Sequence, residues 1–536
     1  MGNKLRIDTP EAYLRRFLDF FKINGSSKPA LGALFTGLIS AFLAYHLLVI
    51  YGHGNADAVC EGLVCYGAGA GDWALACGRW LTRYMNALSG DLIMPGVWIT
   101  LYTLCAVMSA VLLSKLWGIK SAVSVSLVSA ILIVNPTVIE QSLLQYMFMA
   151  WGLSNLFGVL FVCLNCGESR RALIFAPLCM TAAFGLYQSS VGLMCLCFCI
   201  TLILRLTDGM DIKGMFLLVF RFAVTSIIGV ALYFLILRFE IVRYGVMESG
   251  RMQDFSLSAI FTSLIPSLED AYLTFFAYFA EAVMRRKLWY ALLSGILCVF
   301  FALRLCAMIK ERRVLPFVFA LALFLLIPAF ANIAKLIFPY NTTVTIMEYQ
   351  NMFVFPFLFA LLERGRVHMP SARNLTRLCA YALTLIISWT YLVSANATYQ
   401  SYELTYRHLN FMTASMLNDI YNLPDYEKDD TIAFAGFVQD DFLRENFSSY
   451  KYAYGMYDNL AFWVEPLGIR NSRENYLMNY FGVQGGFIFA PDYNKAVQSE
   501  EFKAMPVYPG VGSVRKFSGE VTDLIIVKLS ENPPVF

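Results

Sequence analysis

From Tyr51 to Leu88 the chain reads YGHGNADAVCEGLVCYGAGAGDWALACGRWLTRYMNAL, concentrating Asp57, Glu61, Asp72, Arg79 and Arg83 directly after a long apolar run. A carboxylate at the mouth of a membrane cavity can take the proton from an attacking hydroxyl, and partial loss of hydration raises its basicity toward neutral pH. A nearby guanidinium can hold a phosphate through two parallel hydrogen bonds, a geometry suited to a phosphate at the level of lipid headgroups. Gly67, Gly69 and Gly71 permit a tight backbone path between these groups. The same residue types also describe a solvated loop, with Asp57 and Glu61 in water and Arg79 snorkelling to the interface, and composition alone does not separate the two readings. Cys60 and Cys65 fit either a disulfide stapling the loop or two buried thiols. His53 has no partner at ligand spacing, so nothing in the loop calls for a metal.

Further polar residues stand at the ends of apolar runs. Glu140 and Gln141 follow Asn135 and Pro136, Tyr187 and Gln188 separate two apolar stretches, and Glu348, Tyr349 and Gln350 open another. Polar groups at membrane depth are costly unless they face a cavity or a partner. Together these residues outline a cavity on one side of the membrane, although each alone also suits a helix cap or an interfacial position.

The elements that position them follow from composition. Of 536 residues, 58% are hydrophobic and 15% charged, which points to a bilayer as solvent. A net charge of +3, with basic residues scattered in short turns, gives no basic face for nucleic acid. A spanning helix needs about 20 mostly apolar residues. On that measure spans are expected near 31–51, 94–117, 121–138, 146–165, 172–187, 189–206, 215–237, 288–308, 316–337, 349–363 and 376–396, about eleven in all. The apolar stretch 172–206 is too long for one crossing and is divided at Tyr187 and Gln188.

Lys and Arg counted over short loops place the N-terminus, Lys115, Lys120, Arg170, Arg171, Arg205, Lys213, Lys310, Arg312, Arg313 and Arg364 on the cytoplasmic side. The loop 52–93 and everything after 396 then lie outside. Arg285, Arg286 and Lys287 break this rule, either because they meet an anion outside or because the count errs there. Residues 1–30 form a basic, partly amphipathic cytoplasmic lead without a cleavable signal pattern. The spans make up a membrane domain over 31–396. After Asn396, helical spacing over 403–422 and the apolar runs TIAFAGF and DLIIVKL predict a small mixed α/β extracytoplasmic domain over 397–536. The fold class expected is an α-helical polytopic membrane protein carrying that domain.

The chain resembles the bacterial multi-pass glucosyltransferases that modify O-antigen and related surface glycans. The likeness is carried by Asp57, Trp73, Gly78 and Arg79 in the first outer loop, by FGLYQSSVGL from Phe184, by EYQNMFVFPFLFALL from Glu348, and by the ending MPVYPGVGSVRKFSGEVTDLIIVKLS from Met505. It departs from the family in having Ala56 before Asp57 where two adjacent acids are common, and QYMFMAWGLSN from Gln145 where an aspartate is common. The resemblance implies a plasma-membrane, GT-C-like glycosyltransferase that moves glucose from a polyprenyl-phosphate-linked donor lipid to a surface glycan acceptor outside the cytoplasm. It implies Asp57 as base with Glu61 as helper and Arg79 as phosphate ligand, with Arg251, Arg285 and Lys335 as weaker phosphate candidates. Glu140, Tyr187, Gln188, Tyr349 and Gln350 would line the substrate cavity. Tyr454, Tyr457, Trp463 and Tyr476 are aromatics that could stack on acceptor sugars. No resident cofactor is implied, and a divalent metal beside the phosphate is left open. A transporter or flippase of a lipid-linked sugar, or a non-catalytic scaffold for glycan assembly, would share the polar outer end; a transporter would show ionisable pairs and broken helices near the midplane.

Overall fold

A computed structural model describes residues 22–52, 71–88, 94–167, 172–247, 257–280, 286–338, 345–364, 370–436, 477–478, 481–486, 488–533 and 535. Asp57, Glu61, Cys60, Cys65, Arg251, Arg285, Tyr454, Tyr457, Trp463, Tyr476 and most of the N-terminal lead lie outside the described residues.

The described helices in chain order are α1 Lys28–Tyr51, α2 Gly71–Ala76, α3 Trp80–Leu88, α4 Pro95–Trp117, α5 Ala122–Ile133, α6 Pro136–Leu143, α7 Gln145–Cys166, α8 Ala172–Leu186, α9 Ser190–Thr207, α10 Ile212–Tyr244, α11 Leu257–Thr262, α12 Leu264–Phe279, α13 Arg286–Lys310, α14 Val314–Leu325, α15 Ile327–Ala331, α16 Ile333–Ile337, α17 Val354–Arg364 and α18 Pro370–Tyr421. Two short 3-10 turns, Thr345–Met347 and Tyr349–Phe353, lead into α17. Seven of these helices, α1, α4, α7, α9, α10, α13 and α18, are long and apolar enough to cross a membrane. The other four expected spans fall on shorter or broken helices. The segment 121–138 runs through α5 and α6, which bend by 42° against each other. Its break has a local cause: Pro136 lacks the N–H that would continue α5, while Asn135 bonds back to the carbonyls of Ile131 and Leu132 and caps α6 by accepting from Val138 N–H at 3.2 Å. The stretch 172–206 divides at Tyr187 and Gln188 as expected, into α8 and α9.

Basic side chains tie one end of the bundle together. Arg205 donates to the carbonyl of Cys166, Arg313 to those of Leu206 and Met210, Arg364 pairs with Asp208, and Glu363 accepts from the backbone of Lys120 and Ser121. At the opposite end several bonds come from uncharged groups: Gln145 donates to the carbonyl of Gly52, Gln141 to that of Ile346, and Thr137 to that of Thr345.

α18 runs 52 residues without a break, from the apolar bundle past Asn396 to Tyr421. Beyond it, β1 Thr431–Ala435, α19 Ala490–Gln498, α20 Glu500–Ala504, β2 Val514–Phe517 and β3 Leu524–Lys528 complete the described chain. The sheet order is β1-β3-β2, with β1 parallel and β2 antiparallel to the central β3. Both segments read as buried strands, TIAFA and LIIVK, are buried at every position. Tyr493, Phe502 and Phe517 pack with Ile526 in a small core of their own.

Candidate functional site

At the end of the bundle opposite the arginine-rich one, two polar clusters flank the start of α9. The first gathers Arg79, Tyr187 and Gln188. α2 and α3 form a short helical hairpin whose turn, Cys77 to Arg79, is pinned to the α8–α9 junction. Gln188 donates to the Cys77 carbonyl at 2.8 Å and to the Tyr233 hydroxyl at 3.0 Å, and Tyr233 in turn donates to the Gly78 carbonyl at 3.0 Å. Thr82 donates to the Leu186 carbonyl at 3.1 Å. Trp80 lies so close to Gly185 that a β-carbon there would stand 2.6 Å from the indole ring.

This clamp sets the Arg79 guanidinium over the Tyr187 ring, 4.7 Å from its centroid. Tyr187 is itself fixed by Trp151 in an edge-to-face contact at 5.5 Å. Arg79 is half-buried, its Nε is buried without an acceptor, and among the described residues no carboxylate meets it. A guanidinium has five N–H donors, so this one is equipped to hold an anion. Arg83 lies 3.6 Å from the Tyr244 ring centroid, and Tyr84 donates to Glu240 at 2.8 Å, which fastens α3 to α10.

The second cluster gathers the carboxylates. Glu140 on α6 and Glu348 between the two 3-10 turns are 8% and 7% exposed, and the charges of both bear on the Tyr278 hydroxyl, which shares a 3.2 Å hydrogen bond with Thr137. Lys335 on α16 makes a 2.6 Å ion pair with Asp270 on α12. Among the described residues no donor is placed on the Glu348 carboxylate. Glu348 lies outside the spanning helices, and burial pushes its carboxyl up to about 7; the nearby Lys335 opposes that shift and Asp270 adds to it. A carboxyl poised at neutral pH can act as acid or base. The sequence showed Glu348 only as a residue opening a span; its raised carboxyl comes first from burial, which only the fold shows, and then from the opposing effects of Lys335 and Asp270.

Tyr349 and Gln350 pack against the core beside Glu348. Tyr349 packs edge-on against Tyr102 at 6.5 Å, and Gln350 donates to the Ala331 carbonyl at 2.8 Å across Gly192 of α9. A β-carbon on Gly192 would stand 2.5 Å from that carbonyl oxygen. Among the described residues no group of three His, Cys, Asp or Glu side chains is placed to hold a metal. Arg286, one of the residues that break the charge rule, is fully buried and donates to the hydroxyl and carbonyl of Thr390 at 3.1 and 3.0 Å. It also bonds Ser394, so α18 holds this arginine at three points.

One end of a helical bundle of membrane-spanning length thus carries an arginine with a buried, unbonded donor and two buried carboxylates. The chain belongs to a glucosyltransferase family: the family described as Glucosyl transferase GtrII matches residues 65–361, more than half its length. The matched region includes Arg79, Tyr187, Gln188, Glu140, Lys335 and Glu348. No curated protein and no solved structure matches the chain.

Proposed function

We propose that this glycosyltransferase moves a glucosyl residue from a polyprenyl-phosphate-linked donor to a surface glycan on the extracytoplasmic side of the plasma membrane. The observation that carries the reading is the Arg79 guanidinium, held on Tyr187 with a buried donor and no described acid to neutralise it, on the segment that follows the loop bearing Asp57. A phosphate departing from glucose C1 needs cationic stabilisation more than protonation, and a pre-positioned arginine supplies it. In the step envisaged, the acceptor hydroxyl oxygen bonds to C1 as the C1–O bond to phosphate breaks. The hydroxyl proton passes to Asp57, assisted by Glu61, and the lipid phosphate leaves against Arg79. Lys335, already held by Asp270, has a secondary part, as do Arg251 and Arg285. Glu140, Tyr187, Gln188, Tyr349 and Gln350 shape the cavity. The arginine-rich end of the bundle would face the cytoplasm, which places the Arg79 end and the C-terminal region outside.

Purified protein supplied with polyprenyl-phosphate glucose and a glycan acceptor should release the lipid phosphate and glucosylate the acceptor. Asp57→Asn should slow turnover by about 10²- to 10⁴-fold, the range of a lost general base. Equal turnover by Asp57→Asn would remove Asp57 as the base and leave the class intact. A flippase would move the donor across vesicles without cleaving it, and a scaffold would do neither.

A further inference from the structure

We propose that the groove between α18 and the segments flanking the β2–β3 hairpin is a subsite for the acceptor glycan, engaging sugar units several places from the one that receives glucose. The subsite presupposes the transferase activity proposed above. The groove encloses about 770 Å³ and is lined by His408, Phe411 and Ser415 of α18, by Tyr508 ahead of β2, and by Glu531 and Asn532 after β3.

Three observations favour a glycan as its occupant. The first is a largely apolar lining, to which Met412, Val507, Pro509 and Leu529 also contribute, with an exposed aromatic and scattered hydrogen-bonding groups set in it. Phe411 is 75% exposed on a part of α18 beyond the apolar bundle, and an aromatic face in water suits the C–H face of a sugar ring while neighbouring polar groups meet its hydroxyls. Tyr508 is half-buried and its backbone N–H donates to the Lys528 carbonyl at 2.8 Å, so the residue is carried on the sheet and not on a free strand of chain.

The second is charge. The carboxylate among these residues, Glu531, is paired with Lys528 at 2.8 Å, and among the described residues neither lysine nor arginine lines the groove. Such a lining favours a neutral polyhydroxyl chain over a phosphate or an acidic polymer.

The third is position. The Tyr399 hydroxyl on α18 lies 2.6 Å from the Ser142 hydroxyl on α6, the helix that carries Glu140. Phe411 follows Tyr399 on the same unbroken helix, about 18 Å further along at the α-helical rise. One extended acceptor can therefore occupy the groove with a few sugar units while another unit reaches the polar end of the bundle. The protein would then recognise a polymer and discriminate against its isolated repeat.

The test uses the full-length protein and the surface polysaccharide of its native host, cut to fragments of graded length. Phe411→Ala and Tyr508→Ala should each raise KM for long fragments about tenfold, the loss of an aromatic stacking contact of roughly 1.4 kcal/mol. Their KM for the shortest acceptor, KM for the donor and kcat should stay at wild-type values, and Phe411→Trp should restore long-fragment KM. Equilibrium binding of long fragments to Asp57→Asn protein, with and without Phe411→Ala, reads the subsite without catalysis. It therefore separates failure of the subsite from failure of the transferase reading. Equal KM for long fragments in wild type and both alanine variants would overturn the proposal. A fall in Tm of the alanine variants with long-fragment KM unchanged would overturn it too, since it would mean the protein itself fills the groove.

Discussion

The Arg79 guanidinium sits over the Tyr187 ring, 4.7 Å from its centroid, although 108 positions separate the two residues in the chain. The contact ties the turn of the α2–α3 hairpin to the junction of α8 and α9, and Gln188 next in sequence grips the same turn through the Cys77 carbonyl. A cation held this way keeps its hydrogen-bond donors directed while its charge stays available, because an aromatic face attracts it without neutralising it. Arg79→Lys should therefore cost about tenfold or more in kcat/KM for the donor, since an ammonium cannot make the paired bonds of a guanidinium. Tyr187→Phe keeps the ring and should stay near wild type, whereas Tyr187→Leu should lose a few-fold, in line with a cation–π contact of about 1 kcal/mol. Steady-state kinetics with varied donor distinguishes the three variants; wild-type kinetics in Arg79→Lys would show that the guanidinium is not a phosphate ligand.

Glu348 gives the fold a pH dependence with a definite sign. Its carboxyl stands at about 7 in the folded protein against an ordinary value of 4.5, because burial disfavours the ionised form, with Asp270 adding to the effect and Lys335 reducing it. The folded state thus binds the proton more tightly than the unfolded state. The stabilisation from this group is complete below about pH 4.5, declines as pH rises, and is gone above about pH 7. The difference amounts to about 3 kcal/mol at most. Glu348→Gln, which is always neutral, should flatten that part of the stability profile, leaving the variant more resistant than wild type at pH 8 relative to pH 5. Thermal unfolding in detergent across pH 4.5 to 8 measures the difference between the two profiles.

The polar end was partly legible in the sequence because its residues interrupt apolar runs. Tyr187 and Gln188 stood out as the break in a stretch too long for one crossing, and Glu140 and Gln141 stood out as polar residues following Asn135 and Pro136, although the bend there, which puts them on the separate helix α6, was not read. What the sequence could not supply was the pairing. Lys335 read as a weaker phosphate candidate, and only the fold shows Asp270 of α12 against it at 2.6 Å; Arg286 read either as part of an anion-binding segment or as a miscount, and only the fold shows Thr390 and Ser394 of α18 bonding to it. Hydropathy also could not tell a straight crossing from a broken one. The apolar stretch 316–337 reads as one span, yet it falls into α14, α15 and α16, with Leu326 and Asn332 between them and the Asn332 side chain donating to the Ala271 carbonyl at 2.9 Å.

Gly192 tests how tightly α9 packs against the broken segment. A β-carbon there would lie 2.5 Å from the Ala331 carbonyl oxygen and 3.1 Å from the Gln350 amide, so both the backbone of α15 and the Gln350 hydrogen bond would have to move. Gly192→Ala should destabilise the protein by about 1–3 kcal/mol, the usual cost of overpacking a close contact. Gly295 on α13, where an added β-carbon meets nothing within 4 Å, is the control, and Gly295→Ala should leave Tm unchanged or slightly raised. Equal Tm in both variants would mean that α9 and α15 are not in the contact described.

Arg286 offers a structural contrast to the role proposed for Arg79. It is fully buried, donates to Thr390 and Ser394, and lies 5.0 Å from the Tyr391 ring centroid, so it joins α13 to the middle of α18. Removing it strips charge-assisted hydrogen bonds from a site that water does not reach, and Arg286→Ala should cost about 3 kcal/mol or more of stability. Arg286→Met fills much of the same volume without a buried charge and should recover part of that loss, because desolvation of the guanidinium is removed together with its bonds. Neither substitution should change donor KM in the folded fraction, in contrast to Arg79→Lys. The comparison is made by measuring Tm and donor KM on the same preparations. A rise in donor KM for Arg286→Met at unchanged Tm would show that Arg286 meets the substrate, and would favour the anion-binding reading of the cluster at 285–287.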